Sequence, residues 1–136
     1  MTKRNFTVEE AEALLPTVEN KLNELKFYKD AIVTLSSLCI YSQDEHENVL
    51  NLIRSRREHH KLLHRFFNTL EELHSLGLIL RDLDTGVVDF YALHKNKEIF
   101  LCWQTGEMQI SYWHEINEGY TNRHPIDWIK TPEMEE

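Results

Sequence analysis

Apolar residues recur every three to four positions through the first half of the chain, then switch to strict alternation. Val18, Leu25, Ile32 and Cys39 repeat every seven, flanked by Leu22, Tyr28 and Leu35, the spacing of a coiled-coil seam. After a break at 40–43, a second helical pattern carries Val49, Ile53, Leu63, Phe66, Phe67, Leu70 and Leu73, and Gly77 stops it. The start signals agree. Thr7 and Glu10 have the spacing of a capping box with Phe6 as the staple residue, and Ser42 with Glu45 forms a second. Pro16 cannot donate to residue 12, which predicts a kink there or a helix restarting with Pro16 in its first turn. Each stretch would run roughly 40–50 Å at ~1.5 Å per residue. The short connection predicts an antiparallel helical hairpin over 6–77. A lone hairpin of that length leaves apolar flank uncovered, so a homodimer through the helices is expected, unless the sheet that follows provides the cover.

Beyond Gly77 the period becomes two. "LILRDL" and "VVDFYAL" flank Asp84-Thr85-Gly86, and "EIFLCWQ" and "EMQISYWHE" flank Thr105-Gly106, with "HKNK" as a polar turn between the pairs. This predicts a four-stranded antiparallel meander over 78–115, then a C-terminal loop and tail over 116–136 anchored by Ile126 and Trp128. The fold class is α+β, with 1–136 as one domain. A two-residue turn at Thr105-Gly106 would set Trp103 opposite Met108, Leu101 opposite Ile110 and Ile99 opposite Tyr112. His114 then lies at the far end of that apolar face. A three-residue loop at 84–86 would set Arg81 opposite Asp89 as a cross-strand ion pair.

Composition narrows the function classes. The formal charge is −8, with 41% apolar and 28% charged residues. That balance argues against nucleic acid and anionic membrane as partners. Arg54, Arg56, Arg57 and Lys61 cluster, but Glu58 interrupts them, as on a solvated helix face. No apolar run approaches membrane-spanning length and no secretory segment precedes Cys39 or Cys102. Both cysteines sit in apolar surroundings and read as buried thiols in a reduced, cytoplasmic compartment.

Several patterns invite a chemical reading. Asp84-Thr85-Gly86 matches the triplet of aspartic proteases, but D-x-G between strands is ordinary hairpin chemistry and no second element accompanies it. His60 and His64 share a helix face, and counting across the hairpin puts Glu24 near His59 or His60. Register-fixing or exposed histidines explain the same residues. Glu71 and His74 form a single E-x-x-H pair where a di-iron bundle needs two. The densest constellation is "YWHEINEGYTNRHPIDW", with Trp113, His114, Glu115 and Arg123, which the sheet would bring toward Asp82, Asp84 and Asp89. Histidine among carboxylates suits a divalent cation or acid–base work, and Arg123 suits an anion. The same groups can equally satisfy one another and the loop's own backbone.

The segments "FTVEEAEALLP", "DLDTGVVDF", "LCWQTGE", "WHEINEGY" and "RHPI", taken in order, resemble an uncharacterised prokaryotic family, domain of unknown function 2203. The resemblance runs from Phe6 to Ile126. It implies helices first and sheet motifs second, and carries no activity with it. The family pattern would match Asp82, Asp84, Gly86, Asp89, Phe90, Cys102, Trp103, Gly106, Glu107, Trp113, His114, Glu115, Gly119, Arg123 and Pro125. Gln104 stands where the family usually has arginine, and His124 where it usually has glutamine. The helix histidines His59, His60, His64 and His74 lie outside these motifs.

The expectation is therefore a cytoplasmic, homodimeric binding or interaction module rather than an enzyme. Its site would hold a divalent metal or a small anion on His114, Glu115, Arg123, Asp82, Asp84, Asp89 and Trp113, with His114 and Glu115 as the metal ligands. The alternatives are a metal-assisted or histidine-based hydrolase, with His114 as general base and a carboxylate or metal beside it, and a purely structural coiled-coil adaptor that holds a protein partner.

Overall fold

Thr7 starts the first helix as its capping box requires. Its N–H donates to Glu10 Oε1 at 2.9 Å, and the Glu10 N–H donates to Thr7 Oγ1 at 3.1 Å. The computed structural model describes residues 4–38, 45–119 and 122–127. Helix α1 spans Val8–Leu38 and helix α2 spans Glu45–Ser75. Of the two outcomes expected at Pro16, a restart does not occur: α1 is one helix with Pro16 inside it. Helix α2 ends where expected: Gly77 takes φ +97° and its N–H donates to the His74 carbonyl, closing the last turn. Ser42 of the second capping box, Cys39 and the expected anchor Trp128 lie outside the described residues.

The chain forms two compact units: Lys21–Glu72, and Met1–Asn20 together with Leu73–Glu136. In the first, the two helices run antiparallel, tied at their base by Lys21 Nζ to Glu72 Oε2 at 2.7 Å. This pairing, with Leu35 and His59 lining one groove, puts Glu24 away from His59 and His60, correcting the pairing counted from the sequence. His64 accepts or donates at Asn68, four residues on, and His60 is exposed. Phe27, Val33, Val49, Ile53 and Phe67 are each more than half exposed on this unit.

The second unit holds an antiparallel sheet in sequence order: β1 (Leu78–Asp82), β2 (Val87–His94), β3 (Lys97–Gln104), β4 (Tyr112–Glu115) and β5 (His124–Pro125). Among the described residues there are five strands where the alternation predicted four. The fifth has two residues, too short to leave a periodic signal, and pairs with β4. The β2–β3 hairpin turns on Lys95 and Asn96, both at positive φ (53° and 65°), the backbone of a type I′ turn.

Because register partners share a face, the pairings sort the side chains. One face carries Leu78, Phe90, Leu101, Val88, Trp103, Ala92 and Ile99, all buried. Phe6 packs edge-on against Phe90 with centroids 5.2 Å apart, and Ala11, Leu15, Val18 and Leu73 are buried in the same unit. The opposite face carries Asp89, Cys102, Tyr91, Phe100, Tyr112 and His114.

The last hairpin departs from the expected register. Ile99 pairs with Glu115, Phe100 with His114 and Leu101 with Trp113, a displacement of three residues. The odd shift turns His114 away from the Trp103 and Leu101 face on which the two-residue turn would have put it. The cause lies in the connection. Glu107 Oε1 accepts the Gln104 N–H at 2.7 Å, the Trp103 indole donates to the Glu107 carbonyl at 2.8 Å, and Ile110 donates its N–H to Glu12 Oε2 at 3.0 Å. These anchors hold residues 107–111 out of the ladder, so β4 begins only at Tyr112.

Candidate functional site

Asp89 on β2 faces Cys102 on β3, and His114 on β4 faces Phe100, two residues before Cys102 on the same side of β3. Pleating therefore gathers a carboxylate, a thiol and an imidazole on one face. All three are buried: Asp89 is 1% exposed, His114 2% and Cys102 0%. One ligand-type atom from each lies within 4.8 Å of the others, which makes this the one such metal-compatible group among the described residues.

Asp89 Oδ2 receives the Arg81 Nε–H at 2.7 Å and lies 3.1 Å from His114 Nε2. Arg81 is the bulged residue between Leu80 and Asp82, so it reaches Asp89 from beside Ile79, the backbone partner of Asp89. The ion pair expected from the sequence forms by this route rather than by direct opposition. Asp89 Oδ1 is buried and has no hydrogen-bond partner among the described residues. The other ring nitrogen of His114, Nδ1, lies 2.9 Å from the Glu115 carbonyl oxygen. Above the cluster the Arg81 guanidinium sits 5.0 Å from the Phe100 ring centre, and Arg123 sits 4.1 Å from that of Tyr112.

Two environments result. Burial works against the Asp89 anion, yet the hydrogen bonds and charges of His114 and Arg81 outweigh it and hold its carboxyl below the usual carboxylate range. Burial pushes the Cys102 thiol up to about 12, with Asp89 pushing the same way and Arg123 opposing. Such a thiol is not a ready nucleophile at neutral pH. Nor do the three residues form a nucleophile–base–carboxylate relay: the ring nitrogen facing Asp89 is Nε2, and Nδ1 meets a backbone carbonyl, leaving no nitrogen for the sulfur.

Of the residues singled out from the sequence, Asp89 and His114 come together. Arg123 borders them, its Nη1 3.4 Å from Glu107 Oε2. Glu115 and Trp113 do not join them. Glu115 shares the face of its partner Ile99 and forms an ion pair with Lys97. The Trp113 indole donates to the Pro125 carbonyl at 3.1 Å. Asp82 Oδ1 accepts the N–H groups of Asp84 and Thr85, so Asp82 shapes the turn and Asp84 belongs to it. By residue pattern alone Cys102 is a buried thiol and Arg81 one half of a structural ion pair. The signal for Cys102 was present: with Lys95-Asn96 as a two-residue turn, Asp89 falls opposite Cys102 by counting.

A family model described as "Uncharacterized conserved protein (DUF2203)" matches residues 4–126, and the chain belongs to this family. No curated protein and no solved structure matches it. No helix among the described residues is long and apolar enough to cross a membrane.

Proposed function

We propose that this member of the DUF2203 family is a cytoplasmic, homodimeric binding module that holds a small cationic guest on the polar face of its sheet. The observation that carries this reading is the Asp89 carboxylate: buried, anionic, and with one oxygen left without a donor among the described residues. An unsatisfied acceptor in that setting costs about 1–3 kcal/mol, which a bound cation would recover. A small anion fits less well, because Arg81 already pairs with Asp89 and Arg123 with Glu107. A hydrolase fits less well too, since the His114 ring nitrogens both face oxygens and the Cys102 thiol holds its proton.

The homodimer rests on the helices. The Lys21–Glu72 unit presents Phe27, Val33, Val49, Ile53 and Phe67 to solvent, and a groove of about 440 Å³ lies beside Phe27, Ala31, Leu35 and Leu62. Exposed apolar side chains in this number on one helical unit support an interface. The free, buried Cys102 thiol suits a reducing compartment.

Thermal-shift measurements on chelator-treated protein test the guest. Divalent cations should raise Tm in the wild type and much less in Asp89→Asn, whereas stabilisation by phosphate or sulfate alone would overturn the reading. Light scattering tests the assembly, and a monomer at micromolar concentration would remove the dimer from it.

A further inference from the structure

We propose that Asp89, Cys102 and His114 are the protein ligands of a tetrahedral site for a zinc-class divalent cation. The inference rests on the cation-binding reading above and names the cation and the atoms that hold it. The donor set comes first. A carboxylate oxygen, a sulfur and an imidazole nitrogen form a mixed set that suits a borderline cation, whereas calcium and magnesium favour six or more oxygens. Three protein ligands leave one tetrahedral position for an outside group.

Geometry agrees with chemistry. One donor atom from each of the three residues already lies within 4.8 Å of the others. Ligand bonds of about 2.0–2.3 Å would need only side-chain adjustment to draw them in. Arg81 occupies Asp89 Oδ2, which leaves Oδ1, the oxygen without a partner, for the cation. The contact of His114 Nδ1 with the Glu115 carbonyl has the form of the outer-shell bond that orients metal-binding imidazoles: Nδ1 keeps its proton and Nε2 is presented to the site. Nε2 meets the carboxylate at 3.1 Å, so it must carry a proton there or share the carboxylate with a cation. The metal takes that proton's place.

Charge balance favours the exchange. Carboxylate and thiolate together offset a divalent cation, and where the thiol and the Nε2 each give up a proton the site's net charge does not change on loading. The thiol proton, and any proton on Nε2, leave to solvent as the cation enters, and no oxidant or reductant is needed.

The test is cobalt(II) titration of the chelator-stripped full chain, with zinc as competitor. One cobalt per chain should bind, with the visible spectrum of tetrahedral coordination and a near-ultraviolet thiolate-to-cobalt band, and zinc should displace it. Cys39→Ser should keep the band. Cys102→Ser should abolish it and weaken binding at least about tenfold. Cobalt or zinc binding without a thiolate band in the wild type, or with a band untouched by Cys102→Ser, overturns this ligand set but leaves the cation-binding reading standing. No binding of any divalent cation overturns both. Where Cys102→Ser folds poorly, the Cys39→Ser chain decides: a band that it keeps comes from Cys102, and a band that it loses overturns this ligand set.

Discussion

Asp89 and His114 meet at 3.1 Å although their strands are not neighbours: β3 runs between them. Two strand spacings amount to about 10 Å, so both side chains lean inward over β3, where Cys102 and Phe100 lie. The contact therefore depends on the register of three strands at once, and a slip in any one of them would undo it.

Asp89 should make the protein acid-sensitive. Its folded-state carboxyl is held below the ordinary value of 3.8, so its contribution is complete above that value and lost as pH falls through the folded one. Asp89→Asn in metal-free protein is expected to cost about 1–3 kcal/mol at pH 7. Urea titrations at a series of pH values should show the gap to wild type closing below about pH 4.

Cys102 should be chemically silent in the native state. A thiol raised from 9.0 to about 12 has roughly a thousandth of the usual thiolate at pH 8. In a Cys39→Ser background, iodoacetamide labelling followed by mass spectrometry should be about a thousandfold slower in buffer than in denaturant. Fast native labelling would mean that the sheet face opens readily.

Lys95 occupies a left-handed backbone position that suits asparagine better than lysine. Lys95→Asn is expected to stabilise the protein by about 0.5–1 kcal/mol, raising Tm by a few degrees in a calorimetric scan. A decrease would show that the lysine side chain has a partner worth more than the turn.

Thr7 closes the start of α1 through its reciprocal bonds with Glu10. Thr7→Ala should cost about 1 kcal/mol while Thr7→Ser costs little. Amide hydrogen exchange should quicken in the first turn of α1 for the alanine variant alone.

Much of this architecture is legible in the alternation and the turn residues. The cap at Thr7 and the stop at Gly77 follow from local rules, and the Arg81–Asp89 ion pair is legible as a pair although a bulge at Arg81 makes it. The change from one apolar period to another separates helices from sheet. Residues 107–111 are different. What fixes them is Glu12, a residue on another element, together with the Glu107 carboxylate and the Trp103 indole. No window of sequence around Gly106 contains Glu12, so a tight turn was the natural expectation and His114 fell on the wrong face. The cluster around Asp89 was half visible: its histidine and carboxylate stood out by residue type, whereas Cys102 resembled any other buried apolar position.

Phe6 donates its N–H to the Tyr91 carbonyl at 2.6 Å, beside the ring contact with Phe90. That bond joins the chain ahead of α1 to the strand bearing Asp89, and both helices lie in the loop it closes. Closing a flexible loop of that length costs about 4 kcal/mol in chain entropy, and contacts so distant in sequence form slowly. The helices, built from near neighbours, can mature early. The sheet and the buried acid within it should reach their final state late, making that face the rate-determining part of folding.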